Sequence, residues 1–138
     1  MRNRDTLVNV GLLVLRIGIG LIFIIHGVPK LIGGVETWTQ LGSTMSIVGI
    51  SFAPAFWGFM AAATEVVGAL FIILGLLHRL VALMLLFTMI IALIVHVTAG
   101  DPFTVYSNAL KALVVFVALA ITGPGIYSLD YKFFRRIA

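Results

Sequence analysis

The sequence predicts an all-α integral membrane protein, a four-helix bundle with a short amphipathic helix between its first and second spans. Three observations predict it. Hydrophobic residues are 62% of 138 and the mean hydropathy is +1.20, more apolar surface than a soluble domain of that length can bury. Charged residues are 10%, too few to coat a soluble fold. The apolar residues gather in four blocks of about twenty, the length that crosses roughly 30 Å of hydrocarbon.

Residues 1–138 read as one domain. The first span, 7–28, follows Arg2 and Arg4, yet it is too long for the apolar core of a secretion signal. It also lacks a small-x-small cleavage site, so it reads as a retained helix. Pro29 and Gly33-Gly34 are expected to end it. Val35, Trp38, Leu41, Met45 and Val48 then recur at three- and four-residue spacing. That pattern predicts an amphipathic helix lying flat at the interface or capping the bundle. Pro54 precedes the second span, 55–77, and the third, 80–99, stops before Asp101-Pro102. The fourth, 106–122, closes at Gly123-Pro124-Gly125. Trp38, Trp57 and Tyr106 near one boundary and Tyr127 and Tyr131 near the other read as an aromatic belt.

An even number of spans puts both termini on one side. Arg2, Arg4, Arg79, Lys132, Arg135 and Arg136 collect there, against Lys30 in the opposite loops, so the termini are expected to be cytoplasmic. The net charge of +4 is therefore a topology signal and does not point to nucleic acid. The absence of cysteine excludes disulfides, thiolate metal sites and thiol-cycling redox chemistry within this chain. No nucleotide loop, nucleophile triad or carboxylate dyad is present, so hydrolase chemistry has no support.

Charges inside hydrocarbon cost about 2.5 to 3.5 kcal/mol each on insertion scales, so each is a candidate functional residue. Arg16, Glu65 and Lys111 are such charges. Counting residues from the span ends puts Arg16 and Glu65 near one depth, and an ion pair between them is expected. It serves either as a structural clasp or as a setting in which Glu65 handles protons or orients a ligand. Gly58, Ala61, Ala62, Glu65, Gly68, Ala69, Ile72 and Gly75 form one small-residue face that turns Glu65 inward, with Phe59, Val66, Leu70 and Leu77 toward lipid. A second polar group, His26, Lys30, His96 and Lys111, can converge into a basic pocket on the side away from the termini. The plainer reading is that His26 and Lys30 snorkel and His96 bonds a backbone carbonyl. Two facing histidines are also the minimum for haem or metal ligation, but no HxxxH, acidic cluster or CxxCH reinforces that role, and no metal is expected.

The stretch Leu15-Arg16-Ile17-Gly18-Ile19-Gly20-Leu21-Ile22-Phe23, continuing to His26-Gly27-Val28-Pro29-Lys30-Leu31, resembles the opening signature of the DoxX family. Glu65-Val66-Val67-Gly68 with Leu74-Gly75-Leu76-Leu77-His78-Arg79 is similar to its second-helix pattern, and Thr122 to Asp130 to its closing one. The chain departs from many relatives in carrying Ser107-Asn108 and Lys111 where the fourth helix often begins with an acid, and Ile126 where a base is frequent. The resemblance implies a four-helix membrane protein. For some members it implies a membrane subunit of a thiosulfate:quinone oxidoreductase or of another membrane oxidoreductase complex. The expectation for this chain is a bacterial plasma-membrane subunit or accessory protein of an oxidoreductase system. Its quinone- or lipid-like ligand would lie near Arg16, Glu65, His26, His96, Lys30 and Lys111. Membrane lipid, partner oxidoreductase subunits or a second copy are its expected partners. The alternatives are a non-enzymatic assembly or lipid-handling protein, and a small transporter.

Overall fold

In the computed structural model, residues 2–134 are described, with side chains from residue 4 onward. The side chains of Arg2, Arg135 and Arg136, which the orientation reading uses, lie outside the described residues. The element order is α1 (Arg2–Ile32), α2 (Gly34–Ser43) with a 3-10 turn at Thr44–Val48, α3 (Pro54–Ala63), a π-helical turn at Thr64–Gly68, α4 (Ala69–Leu74), α5 (His78–Thr98), α6 (Phe103–Thr122) and α7 (Leu129–Phe133). Among the described residues, four helical segments are long and apolar enough to cross a membrane: Arg4–Ile32, Pro54–Leu74, His78–Thr98 and Phe103–Thr122. The protein is an all-α integral membrane bundle.

Pro29 does not end the first helix. α1 runs through it to Ile32, and the chain turns only at Gly34, whose φ of +76° favours glycine. A proline inside a spanning helix is tolerated when neighbouring groups satisfy the carbonyl it frees. Continuation past Pro29 keeps Lys30 on the helix, three residues beyond Gly27 on the buried face.

The segment after the turn is helical as its periodicity predicts, but it packs on the bundle. A Cβ on Gly42 would collide with the Pro54 carbonyl, and one on Gly58 with the Trp38 carbonyl, so α2 and α3 touch backbone to backbone. Trp38, Leu41 and Met45 turn inward, whereas Val35 and Val48 stay exposed.

The small-residue face of the second span is buried at Gly58, Ala62, Glu65, Gly68, Ala69, Ile72 and Gly75, and Phe59, Leu70 and Leu77 face outward. Gly75 and Leu77 both take left-handed backbone conformations, which reverses the chain into α5. Ala69, Ile72, Val81, Ala82, Leu85, Phe116 and Leu119 close the half of the bundle nearer the termini. Phe23 meets Phe116 edge to face at 4.9 Å. One cavity opens at this aromatic contact between α1 and α6, and a second extends along α5 from Leu80 to His96.

Candidate functional site

On α1, Arg16, Gly20, Phe23 and Gly27 are buried at steps of four, three and four residues, making one inward stripe. The glycines set its register against the second span. A Cβ on Gly27 would lie 2.9 Å from Glu65 Cβ and 2.8 Å from Val66 Cγ2, and one on Gly20 would lie 3.0 Å from the Ala69 carbonyl oxygen. Gly27 therefore sits level with Glu65, and Arg16 level with Gly75.

That register overturns the expected Arg16–Glu65 pair. The partner of Glu65 is Lys30, whose Nζ donates to both carboxylate oxygens at 2.8 and 2.7 Å. Arg16 lies eleven residues from Gly27 along α1, about 16 Å at 1.5 Å rise per residue. Counting depth from the ends of apolar blocks treats the two spans as centred on each other. The close glycine contacts slide them by several turns, and α2 fills the length of α3 that α1 does not cover.

Glu65 stands in the π-helical turn, where the hydrogen-bond ladder steps over an extra residue; such turns recur at functional sites. Its side chain is 4% exposed against 38% for Lys30, so the carboxylate is the buried member and the ammonium reaches it from the rim.

Arg16 belongs to a separate polar cluster near the termini. It is fully buried and donates to the Tyr127 carbonyl oxygen, while its Nε and Nη1 have no protein partner. Asp130 accepts from the backbone N–H groups of Leu77 and His78, both at 2.8 Å, so it caps the N-terminus of α5. The buried His78 ring has no protein hydrogen-bond partner on either nitrogen. Ser128 caps α7, its Oγ accepting from the Tyr131 N–H. Here the closing segment of the chain is tied to α1 and to the turn before α5.

The other five expected site residues border one cavity of about 530 Å³ between α1 and α6: His26 and Lys30 from α1, Glu65, His96 from α5 and Lys111 from α6. Ile19, Ile22, Phe23, Met89, Ala112 and Val115 supply apolar wall, and Asn108 adds an amide. A second cavity of about 680 Å³, between α2, α3 and α5, is walled by residues such as Met60, Leu83, Met84, Phe87 and Ile91. Both cavities share Lys30, Glu65, Met89 and His96, so the ion pair stands at their boundary.

Each of the two cavity histidines has one nitrogen engaged. His26 Nδ1 lies 2.9 Å from the Ile22 carbonyl oxygen, and His96 Nδ1 lies 2.7 Å from Asp101 Oδ2. Carbonyl and carboxylate oxygens only accept, so both rings donate through Nδ1, and in the neutral ring Nε2 is the acceptor. The cavity thus offers ammonium donors and imidazole acceptors within apolar walls, a combination that orients an amphipathic ligand. Asp101 was not foreseen as part of the site, although His-x4-Asp with Gly100 just before the acid is legible in the sequence. Among the described residues, no group of three or more His, Cys, Asp or Glu is placed to hold a metal ion.

Comparison with known proteins gives a consistent picture. The sequence model of the DoxX family matches residues 11–98. The chain is 32% identical over 130 residues to "Putative oxidoreductase CatD" of Bacillus subtilis (strain 168), covering 92% of this chain and 90% of the relative. It is 34% identical over 132 residues to "Inner membrane protein YphA" of Escherichia coli (strain K12), covering 88% and 89%. No solved structure matches the chain.

Proposed function

The chain belongs to the DoxX family, and on that premise we propose that it is a membrane subunit or accessory protein of an oxidoreductase system, holding a quinone- or lipid-like ligand between α1 and α6. The observation that carries this reading is the cavity itself. Two lysines and two histidines with free acceptor nitrogens meet there inside walls that are mostly hydrocarbon. Ammonium groups suit carbonyl or phosphate oxygens, imidazole nitrogens suit hydroxyls, and the apolar walls suit a ring or chain. The word oxidoreductase in the name of the Bacillus relative supports the redox setting. A chain without cysteine would take its redox chemistry from the ligand or from a partner subunit.

The second reading, a lipid-handling or assembly protein, draws on the larger cavity, whose walls are more uniformly apolar and suit an acyl chain. We place the protein in a bacterial plasma membrane with cytoplasmic termini, because Arg4, Arg79 and Lys132 lie on the terminal side and Lys30 on the other. A C-terminal fusion to green fluorescent protein should fluoresce, and one to alkaline phosphatase should be inactive; the reverse pair of results would invert the topology.

Mass spectrometry of organic extracts from gently purified protein separates the two functional readings. A stoichiometric quinone supports the first, and phospholipid alone moves the assignment to the second.

A further inference from the structure

We propose that His96 and Asp101 form a proton port for the α1–α6 cavity, in which Nε2 of His96 accepts the proton of a phenolic hydroxyl bound there. The inference rests on the cavity being a ligand site and narrows the ligand to a phenol or hydroquinone.

The pair is built by the turn between α5 and α6. Gly100, at φ +76°, folds the chain back so that the Asp101 N–H donates to the His96 carbonyl at 3.0 Å. The same fold lays the Asp101 carboxylate against the ring at 2.7 Å. Two contacts five residues apart therefore fix the imidazole, and Pro102 then starts α6. With Nδ1–H held by the carboxylate, Nε2 is the basic nitrogen and has no protein partner. The two side chains are 39% and 38% exposed at the loop end of α5, so the pair is accessible from outside the bundle while His96 borders the cavity.

In the proton transfer, the phenol O–H bond breaks, an N–H bond forms at Nε2, and the electron pair stays on the phenolate oxygen. No electron changes hands. The imidazolium that results lies beside the Asp101 carboxylate and is not a lone cation in hydrocarbon. The phenolate requires a counter-charge. Lys30 is already matched by Glu65, but Lys111 has no acidic partner among the described residues and borders the same cavity. The charged and titratable groups facing the step are thus His26 and Lys30 from α1, Glu65 from the π-helical turn, Lys111 from α6, and Asp101. His96 is the acceptor and Asp101 the positioning residue.

A 4-nitrophenol bearing an alkyl tail reads the step directly, because its phenolate is yellow and it undergoes no redox change here. The full chain in detergent is titrated with this probe, and ionisation is followed by absorbance while binding is followed by tryptophan quenching. The bound probe should ionise at lower pH on the wild type than in empty micelles. Asp101→Asn should move that midpoint back by about one unit, a tenfold change in the ionisation constant, with affinity for the neutral probe little altered. Asp101→Glu should restore part of the shift, which a merely structural role would not require. Unchanged midpoints in Asp101→Asn and His96→Gln, with binding intact, would overturn the proton port and leave the cavity reading standing. Failure of the wild type to bind the probe would overturn the ligand reading beneath it.

Discussion

Replacing Lys30 should damage the protein far more than replacing Glu65, although the two share one ion pair. In Lys30→Met the Glu65 carboxylate, 4% exposed, loses the donor of both its hydrogen bonds, and the cost of such an orphaned buried charge is about 3–5 kcal/mol. In Glu65→Gln the orphan is Lys30, 38% exposed two residues from the end of α1, and its long stem carries the ammonium to the interface. That change should cost about 1 kcal/mol, the net value of a partly solvated contact. If the two effects were independent, the double variant would lose about 5 kcal/mol; with no buried charge left it should lose about 1–2 kcal/mol, a coupling of about 3 kcal/mol. Equilibrium unfolding by dodecyl sulfate in maltoside micelles, followed by circular dichroism, resolves such a difference, since 1.4 kcal/mol is about tenfold in the equilibrium constant. Equal costs for the two single variants, or a double variant that equals their sum, would refute the asymmetric pair.

Three further outcomes follow from the same geometry. Arg16→Met combined with Glu65→Gln should show additive stability effects to within about 0.5 kcal/mol, because the register separates the residues by about 16 Å; measurable coupling in the same assay would restore the expected clasp. Asp130→Asn should cost about 2 kcal/mol, since one of two charged acceptors on the α5 backbone is lost along with the negative charge at a helix N-terminus, and a variant as stable as the wild type would show that the cap contributes nothing. Gly42→Ala should cost about 1–3 kcal/mol by forcing α2 off α3, whereas Gly18→Ala, with open space around its Cβ, should be neutral or gain up to about 1 kcal/mol; thermal unfolding that ranked them the other way would contradict the helix contact.

Helix positions were largely legible in the sequence because lipid imposes a length and an apolar content that few other environments share. The inward face of the second span was legible too, since small residues at three- and four-residue steps mark close packing, and Gly58, Ala62, Gly68 and Gly75 are all buried. Depth was not legible. Arg16 and Glu65 come level only if their helices are centred on each other, and the offset is imposed by Gly20 and Gly27 fitting against Ala69 and Glu65. Those glycines carried the signal, spaced with Arg16 and Phe23 along one stripe, but a stripe gives a face and not a register. The π-helical turn at Glu65 is a backbone rearrangement without a residue signature. Five of the six expected site residues do border one cavity: His26 and Lys30, four apart, share a face of α1 whatever its register, and Glu65, His96 and Lys111 meet them from three other elements. His96 and Asp101 meet through the left-handed turn at Gly100, which helical periodicity does not describe.

Photo-cross-linking tests most directly the proposal that the α1–α6 cavity holds an amphipathic ligand. A quinone bearing a photoreactive group on its ring is irradiated in native membranes, and the labelled residues are located by peptide mass spectrometry. Labelling should fall on residues 19–30 of α1 and 105–115 of α6, and excess unlabelled quinone should suppress it. Labelling confined to outward-facing residues that line neither cavity, such as Leu70 and Ile121, or labelling that excess quinone leaves unchanged, would contradict it.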